Sequence, residues 1–145
     1  MAIQHINRIA FPDKWCLILE DDMDYQRKFI EEVQEVFGPQ GKMLCVCAPS
    51  ALWAIKLFSE STSLLEKTSD DMGMQFPTFI ILDHDMPYGN AQDFLEFYRL
   101  NNLKIPVLTA SGIAQNNDVM MQKGATYRYM KSDHAARQEF YKKFL

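Results

Sequence analysis

Two runs of consecutive apolar residues form the framework of the chain. Residues 15–19 and 79–82 show no alternation between apolar and polar positions. This pattern is typical of strands buried on both faces in the middle of a parallel sheet. The first run is followed by Glu20 and Asp21, and the second by Asp83. Because the carboxyl ends of the strands form the ligand crevice of an open parallel sheet, we expect these carboxylates to line a site.

Strands and helices alternate along the rest of the chain. The predicted strands lie over 15–19, 43–48, 79–82, 105–109 and 127–130, and apolar residues at helical spacing predict helices over 23–37, 51–58, 94–100, 116–123 and 135–144. This alternation predicts an α/β fold. A five-stranded parallel sheet would carry five helices on its two faces, connected by right-handed crossovers.

Length and composition indicate one domain. The chain has 145 residues, and we place the domain over 14–145, after an N-terminal extension over 1–13. The connection over 59–77 is polar and irregular, so we expect it to be the least ordered internal segment and to lie away from the crevice. Three cysteines in apolar runs, Cys16, Cys45 and Cys47, are interpreted as reduced core thiols.

The charge pattern narrows the choice of partners. The formal net charge is -4 and no basic block occurs, which argues against nucleic acid or an anionic membrane surface as a direct partner. No apolar run approaches the roughly 20 residues that span a bilayer, and the N-terminus does not have the layout of a signal peptide. We therefore expect a cytoplasmic protein.

Functional side chains follow four of the five predicted strands. Besides the acids after the first and third strands, Thr109 ends the fourth and Lys131 follows the fifth. Helix capping alone would explain the acidic cluster after the first strand, because Asp and Glu favour the first turn of a helix. It does not explain Asp83, which is followed by a turn at Pro87, or the hydroxyl and the amine at the other two ends.

These side chains predict magnesium-dependent phosphoryl chemistry. Carboxylates from neighbouring strands repel each other unless a cation lies between them, and hard oxygen ligands with room for water and phosphate are typical of Mg²⁺ sites. An aspartate can attack phosphorus, while a lysine and a hydroxyl stabilise the phosphoryl oxygens. We expect Asp83 to be this nucleophile because it ends the central strand.

The ordered motifs resemble the receiver domain of two-component response regulators. They are Glu20-Asp21 after a buried strand, Leu82-Asp83-His-Asp-Met86-Pro87, Thr109-Ala110, and Gly124-Ala125 followed by Lys131. The resemblance covers about 14–145. It implies a doubly wound sheet of the flavodoxin-like, CheY-like type with strand order 2-1-3-4-5.

The resemblance also implies a role for each site residue. Asp83 would accept a phosphoryl group from a histidine kinase or a histidine phosphotransfer protein, and the change would control binding of an unidentified target protein. Glu20, Asp21, Asp83 and the backbone carbonyl of Asp85 would hold Mg²⁺, Thr109 would bind the phosphoryl group and switch, and Lys131 would pair with it. Such a domain is a phosphoacceptor with slow autodephosphorylation and not an enzyme that turns over a separate substrate.

Four features depart from the family pattern. Arg128 stands where the family usually has an aromatic residue that moves with the threonine, and Asp85 adds an acid beside the phosphorylation site. The connection between Ala54 and Asp83 is longer by roughly a dozen residues. Ser132 replaces the usual proline, so we expect a trans Lys131–Ser132 peptide, because a non-proline cis bond costs about 2.5–4 kcal/mol.

Two other functions remain open. Asp83-His-Asp85 also resembles the Asp-x-Asp motif of haloacid-dehalogenase-like Mg-dependent phosphatases, although the acidic pair of that family comes late in the chain and here it comes first. A receiver-like module that binds partners without being phosphorylated is the third reading. Because the closing helix reaches Leu145, we expect another protein to carry the output. A homodimer is compatible with the sequence.

Overall fold

A computed structural model describes residues 14–38, 42–60 and 76–145. The extension over 1–13 and most of the predicted irregular connection, residues 61–75, lie outside this part of the chain, so the expectations for both stay predictions. None of the helices in the described residues combines the length and apolar character needed to cross a bilayer.

Four parallel strands form the sheet. They are β1 (Trp15–Leu19), β2 (Leu44–Ala48), β3 (Ile80–Leu82) and β4 (Val107–Thr109), in the order β2-β1-β3-β4. Leu19 pairs with Leu82, and Leu82 pairs with Thr109. The chain builds the sheet outward from β1 in both directions, so β1 and β3 flank the switch point, where ligands bind in open α/β sheets.

The predicted fifth strand lies beside β4 as expected, but it is not a continuous strand. Two parallel bridges, from Leu108 to Tyr127 and from Ser111 to Met130, join it to the sheet. Between them the Thr109 hydroxyl donates to the carbonyl of Tyr129 and accepts from its N–H. The Thr109 side chain thus hydrogen-bonds to both backbone groups of Tyr129, which in a regular strand would bond to the backbone of the neighbouring strand.

Five α-helices cover the sheet in the described part of the chain. They are α1 (Met23–Phe37), α2 (Ala51–Glu60), α3 (Ala91–Leu100), α4 (Ala114–Gln122) and α5 (His134–Tyr141), and a 3₁₀ turn over Lys142–Phe144 follows α5. The limits of β1 and α1 agree with the prediction, whereas α4 begins two residues earlier than predicted. Side chains of Asp22, Asn90 and Asp133 cap α1, α3 and α5, as short polar residues commonly do.

Alternate strand residues build two cores, one on each face of the sheet. Leu17, Leu19, Ile80 and Leu82 pack with residues of α2, α3 and α4. On the other face Cys16, Ile18, Phe79 and Ile81 pack with Phe29 and Val33 of α1 and Phe140 and Tyr141 of α5. Strands buried on both faces explain the unbroken apolar runs in the sequence. All three cysteines are free, and Cys45 and Cys47 are only half-buried.

Candidate functional site

The side chains after β1, β3 and the fifth segment converge at the carboxyl edge of the sheet. Carboxylate oxygens of Glu20, Asp21 and Asp83 all lie within 4.8 Å of one another. The amine of Lys131 is 2.7 Å from Glu20 Oε1 and 3.5 Å from Asp83 Oδ1. The structure therefore brings together four of the side chains singled out from the sequence.

Backbone hydrogen bonds fix the two strand ends that carry the acids. The Asp83 N–H donates to the carbonyl of Leu19 at 3.0 Å, and the Glu20 N–H donates to the carbonyl of Ala48 at 3.0 Å. Asp22 caps α1, because its side chain accepts hydrogen bonds from the N–H groups of residues 24 and 25. Glu20 accepts from the N–H of Asp22 through Oε2 at 3.2 Å, and its other oxygen, Oε1, faces the Lys131 amine.

Burial and mutual repulsion shape the charge of the site. Glu20 is 1% exposed and Asp83 is 6% exposed, whereas Asp21 is exposed. Burial, with a contribution from the charge of Asp83, raises the pKa of the Glu20 carboxyl to about 7, although Lys131 opposes the shift. Burial also raises the pKa of Asp83, and Lys131 offsets it only in part. The raised pKa values indicate that the Lys131 charge does not fully balance the carboxylates, so binding of a further cation at this site would be favourable.

The lysine is held in this cluster from several sides. Burial acts to lower the pKa of the Lys131 amine, but the carboxylates of Glu20 and Asp83 together outweigh burial and raise that pKa. The Tyr25 ring of α1 lies 4.0 Å from the amine, an arrangement typical of a cation–π contact. The helical spacing over 23–37 did not indicate this contact, although Tyr25 comes only five residues after Glu20 in the sequence.

A magnesium ion fits the residues that are present. In the part of the chain that the structure describes, the buried Glu20 Oε1 is paired with the Lys131 amine at 2.7 Å and has no other hydrogen-bond partner. This oxygen can still accept from a second partner, and three carboxylates facing one ammonium offer the hard oxygen donors that Mg²⁺ prefers. Glu20, Asp21 and Asp83 are the residues that would hold the ion.

An open depression adjoins the acidic cluster. Its volume is about 330 Å³, and it is lined by Asp21, Asp85, Met86, Pro87 and Asn90. The Asp85 carboxylate at its rim lies 2.8 Å from Nδ1 of His84 and 3.5 Å from the side-chain amide of Asn116. The place of the Asp85 carbonyl among the magnesium ligands stays a prediction.

Thr109 and Ser111 occupy different levels of the sheet. Thr109 is level with Leu82, one residue before Asp83, and it is fully buried with its hydroxyl bonded to the backbone of Tyr129. The structure therefore does not bring the Thr109 hydroxyl to the carboxylates. Ser111 lies further toward the carboxyl edge, where its carbonyl accepts from the N–H of Lys131 at 3.0 Å.

Ser111 is thus a candidate site residue that sequence reasoning passed over. Its backbone is held by the buried side chain of Asn117, which accepts from the Ser111 N–H and donates to its carbonyl, both at 2.9 Å. The Ser111 hydroxyl accepts from the N–H of Ile113 at 3.0 Å. The sequence did contain a signal, because two hydroxyl residues follow the short apolar run over 105–108 and only the second clears the strand.

The peptide between Lys131 and Ser132 is trans. No cis peptide bond occurs in the described residues, which include this one, so the expectation drawn from the cost of a non-proline cis bond is confirmed. Arg128, which stands in the place of the family's aromatic residue, points to an exposed ion pair with Asp118 at 2.6 Å.

Comparison with known proteins identifies the fold. The sequence matches no family model and no curated protein. Among solved structures, the response regulator TrrA from Thermotoga maritima in complex with Mg²⁺ and beryllofluoride has a TM-score of 0.68 at 19% identity, covering 91% of this chain and 99% of that chain. A DNA-binding response regulator of the LuxR family from Staphylococcus aureus has a TM-score of 0.66 at 17% identity, covering 90% and 97%.

A third similar structure is the receiver domain of a sensor histidine kinase from Pseudomonas aeruginosa. It has a magnesium ion coordinated in its active-site cleft, and it gives a TM-score of 0.63 at 16% identity, covering 90% of this chain and 95% of that chain. The chain therefore has the flavodoxin-like fold of response-regulator receiver domains, as the motifs predicted. At these identities the similarity establishes the fold, and function has to be argued from the site.

Proposed function

We propose that this chain, which has the receiver-domain fold, accepts a phosphoryl group on Asp83 in a Mg²⁺-dependent reaction. The observation that carries the proposal is the convergence of Glu20, Asp21, Asp83 and Lys131 at the switch point of the sheet. Solved receiver domains with magnesium in the same fold support it. The donor would be a phosphohistidine on a histidine kinase or a histidine phosphotransfer protein.

The chemistry follows from the position of each side chain. An oxygen of the Asp83 carboxylate forms the new P–O bond while the P–N bond of the donor breaks, and the departing imidazole keeps the electron pair. The Lys131 amine, 3.5 Å from Asp83 Oδ1, stabilises negative charge on the phosphoryl oxygens. Mg²⁺ bound by Glu20, Asp21 and Asp83 would neutralise further charge on these oxygens.

We further propose that Ser111 supplies the hydroxyl that contacts the phosphoryl group. It lies at the carboxyl edge of the sheet and its backbone is bonded to Lys131, whereas the Thr109 hydroxyl is occupied by Tyr129. Ser111→Ala is therefore expected to reduce labelling of Asp83 more than Thr109→Val does. The Thr109 variant would mainly weaken the pairing of β4 with the fifth segment, because it removes the hydroxyl that bonds to the Tyr129 backbone.

Acyl-phosphate labelling tests the proposal. The chain is incubated with acetyl phosphate, with and without Mg²⁺, and its intact mass is measured. We expect one added phosphoryl group in the presence of Mg²⁺, its absence in Asp83→Asn, and normal labelling in the control Asp118→Asn, which changes an exposed aspartate of α4. Equal labelling of Asp83→Asn would refute the assignment. Many turnovers of a generic phosphate ester would favour the phosphatase reading instead.

The signalling output is part of the same proposal. Phosphorylation of Asp83 would change the affinity of the chain for a target protein, because the phosphoryl group adds negative charge and acceptor oxygens at the carboxyl edge of the sheet. A pull-down with and without beryllofluoride, an acyl-phosphate mimic, would reveal such a target. Identical protein sets in the two samples, with the mimic shown to be bound, would contradict this role.

A further inference from the structure

The guanidinium of Arg137, on α5, is fully buried between two helices. Arg137 is 0% exposed, and its partner Glu32 on α1 is 3% exposed. The pairing is bidentate, because Arg137 Nε donates to Glu32 Oε2 and Nη2 donates to Oε1, both at 2.9 Å. Such forked pairs are geometrically specific as well as strong. The pair therefore fixes the orientation of the arginine inside the core.

The remaining donors of the arginine reach the backbone that carries Lys131. Arg137 Nη1 donates to the carbonyl of Met130 at 2.8 Å, and Nη2 donates to the carbonyl of Lys131 at 2.7 Å. Four N–H groups are thus divided between one carboxylate and two consecutive carbonyls. A lysine could not replace this arrangement, because its three donors radiate from a single nitrogen.

Glu32 is oriented in turn by two further groups of α5. The hydroxyl of Tyr141 donates to Glu32 Oε2, and Nδ1 of His134 lies against Oε1. The Phe29 ring lies 5.1 Å from the guanidinium carbon. Every polar atom of the buried pair therefore has a partner, as a stable buried network requires.

The segment held by Arg137 also has restraints of its own backbone. Met130 forms a bridge with Ser111, and the Met130 carbonyl accepts from the Asp133 N–H at 3.0 Å as well as from Arg137. The Lys131 N–H donates to Ser111, and the turn that follows contains Ser132, whose φ angle is not locked as a proline's would be. From this backbone the Lys131 side chain reaches both Glu20 and Asp83. A small displacement of the two carbonyls would therefore move the base of the lysine relative to Asp83.

We infer that Glu32 and Arg137 form a positioning pair, which holds the backbone at Met130 and Lys131 so that the Lys131 amine is aimed at Asp83. The role of the amine at Asp83 rests on the proposed function, whereas the geometry of the pair is independent of that proposal. The pair acts on the reaction only through Lys131 and does not touch the phosphoryl group.

The test uses two kinds of variant in the full chain. Arg137→Lys keeps the charge and removes the fork, and the double variant Glu32→Leu, Arg137→Met removes both charges together and leaves no unpaired ion in the core. The control is Gln138→Ala, since Gln138 also links α5 to α1, through Glu32 and Glu35, without touching the carbonyls. Folding of each variant is checked by its urea unfolding curve.

Two readouts are measured. The initial rate of labelling by acetyl phosphate is expected to fall about 10- to 100-fold in both variants and to stay unchanged in Gln138→Ala, while the affinity for Mg²⁺ alone changes little. The reactivity of Lys131 toward acetic anhydride, compared with that of the exposed Lys123 in the same chain, is expected to rise several-fold because the amine is no longer held.

A third measurement separates positioning from a general effect on the fold. In a Lys131→Met background, Arg137→Lys should cause no further loss of labelling rate, because the two changes act through the same group. Additive losses, or unchanged labelling and unchanged Lys131 reactivity in the folded variants, would overturn the inference. If the native chain is not labelled at all, the proposed function fails, and the reactivity of Lys131 alone still decides whether the pair holds it.

Discussion

Replacing Glu20 by glutamine is expected to stabilise the metal-free protein at neutral and alkaline pH. The folded-state pKa of the Glu20 carboxyl, about 7, is above its ordinary value of 4.5. The folded protein then binds more protons than the unfolded chain between these values, so stability falls as pH rises through the window and stays low above it. A glutamine cannot ionise, so the variant avoids this loss.

The magnitude follows from the shift in pKa. Each pKa unit corresponds to 1.36 kcal/mol, so the displacement from 4.5 to about 7 sets an upper bound of roughly 3 kcal/mol. Lys131 lies 2.7 Å from Glu20 Oε1, and the crevice is open to water, so screening reduces the effect. We expect Glu20→Gln to gain about 1–3 kcal/mol over the native chain above pH 7.

Urea unfolding in the presence of a chelator measures this gain. Three proteins are compared from about pH 5 to about pH 8: the native chain, Glu20→Gln, and the control Glu31→Gln, which changes an exposed carboxylate of α1. The free-energy gap between Glu20→Gln and the native chain should widen with pH, while Glu31→Gln runs parallel to the native chain. Parallel curves for Glu20→Gln would refute the reasoning on burial and repulsion.

Three further predictions concern neighbouring groups. Asp21→Asn is expected to weaken Mg²⁺ binding at least tenfold by titration, because it removes the exposed carboxylate of the cluster, and unchanged affinity would count against the metal site. Glu32→Gln should lower the free energy of unfolding by about 3–5 kcal/mol, because it leaves the buried Arg137 without its charged partner. Urea unfolding measures this loss, and a loss below about 1 kcal/mol would contradict the prediction. Tyr25→Leu should make Lys131 more reactive toward acetic anhydride by removing the ring beneath it, with no change as the contrary result.

Much of the sheet could be predicted because its physical signals are local. The unbroken apolar run of β1 and the helical spacing of α1 gave their limits directly. The acids at the strand ends followed from topology, since parallel strands present their carboxyl ends on one edge. The convergence of Glu20, Asp83 and Lys131 was predictable for this reason.

The parts that the sequence did not reveal depend on tertiary contacts. The fifth segment has an apolar strand pattern, but the Thr109 hydroxyl forms hydrogen bonds that the neighbouring strand would otherwise make. No local sequence pattern predicts that a side chain will replace backbone groups in this way. Glu32 and Arg137 are 105 residues apart and read as solvent-facing charges of amphipathic helices. Only the packing of α5 on α1 buries both.

A crystal structure of the chain with Mg²⁺ and beryllofluoride tests the central claim most directly. The account predicts beryllofluoride on the Asp83 carboxylate, with fluorine atoms near the Lys131 amine and the Ser111 hydroxyl, and a metal ion bound by Glu20, Asp21 and Asp83. Beryllofluoride bound to another residue, or a metal ion held away from these three carboxylates, would contradict it.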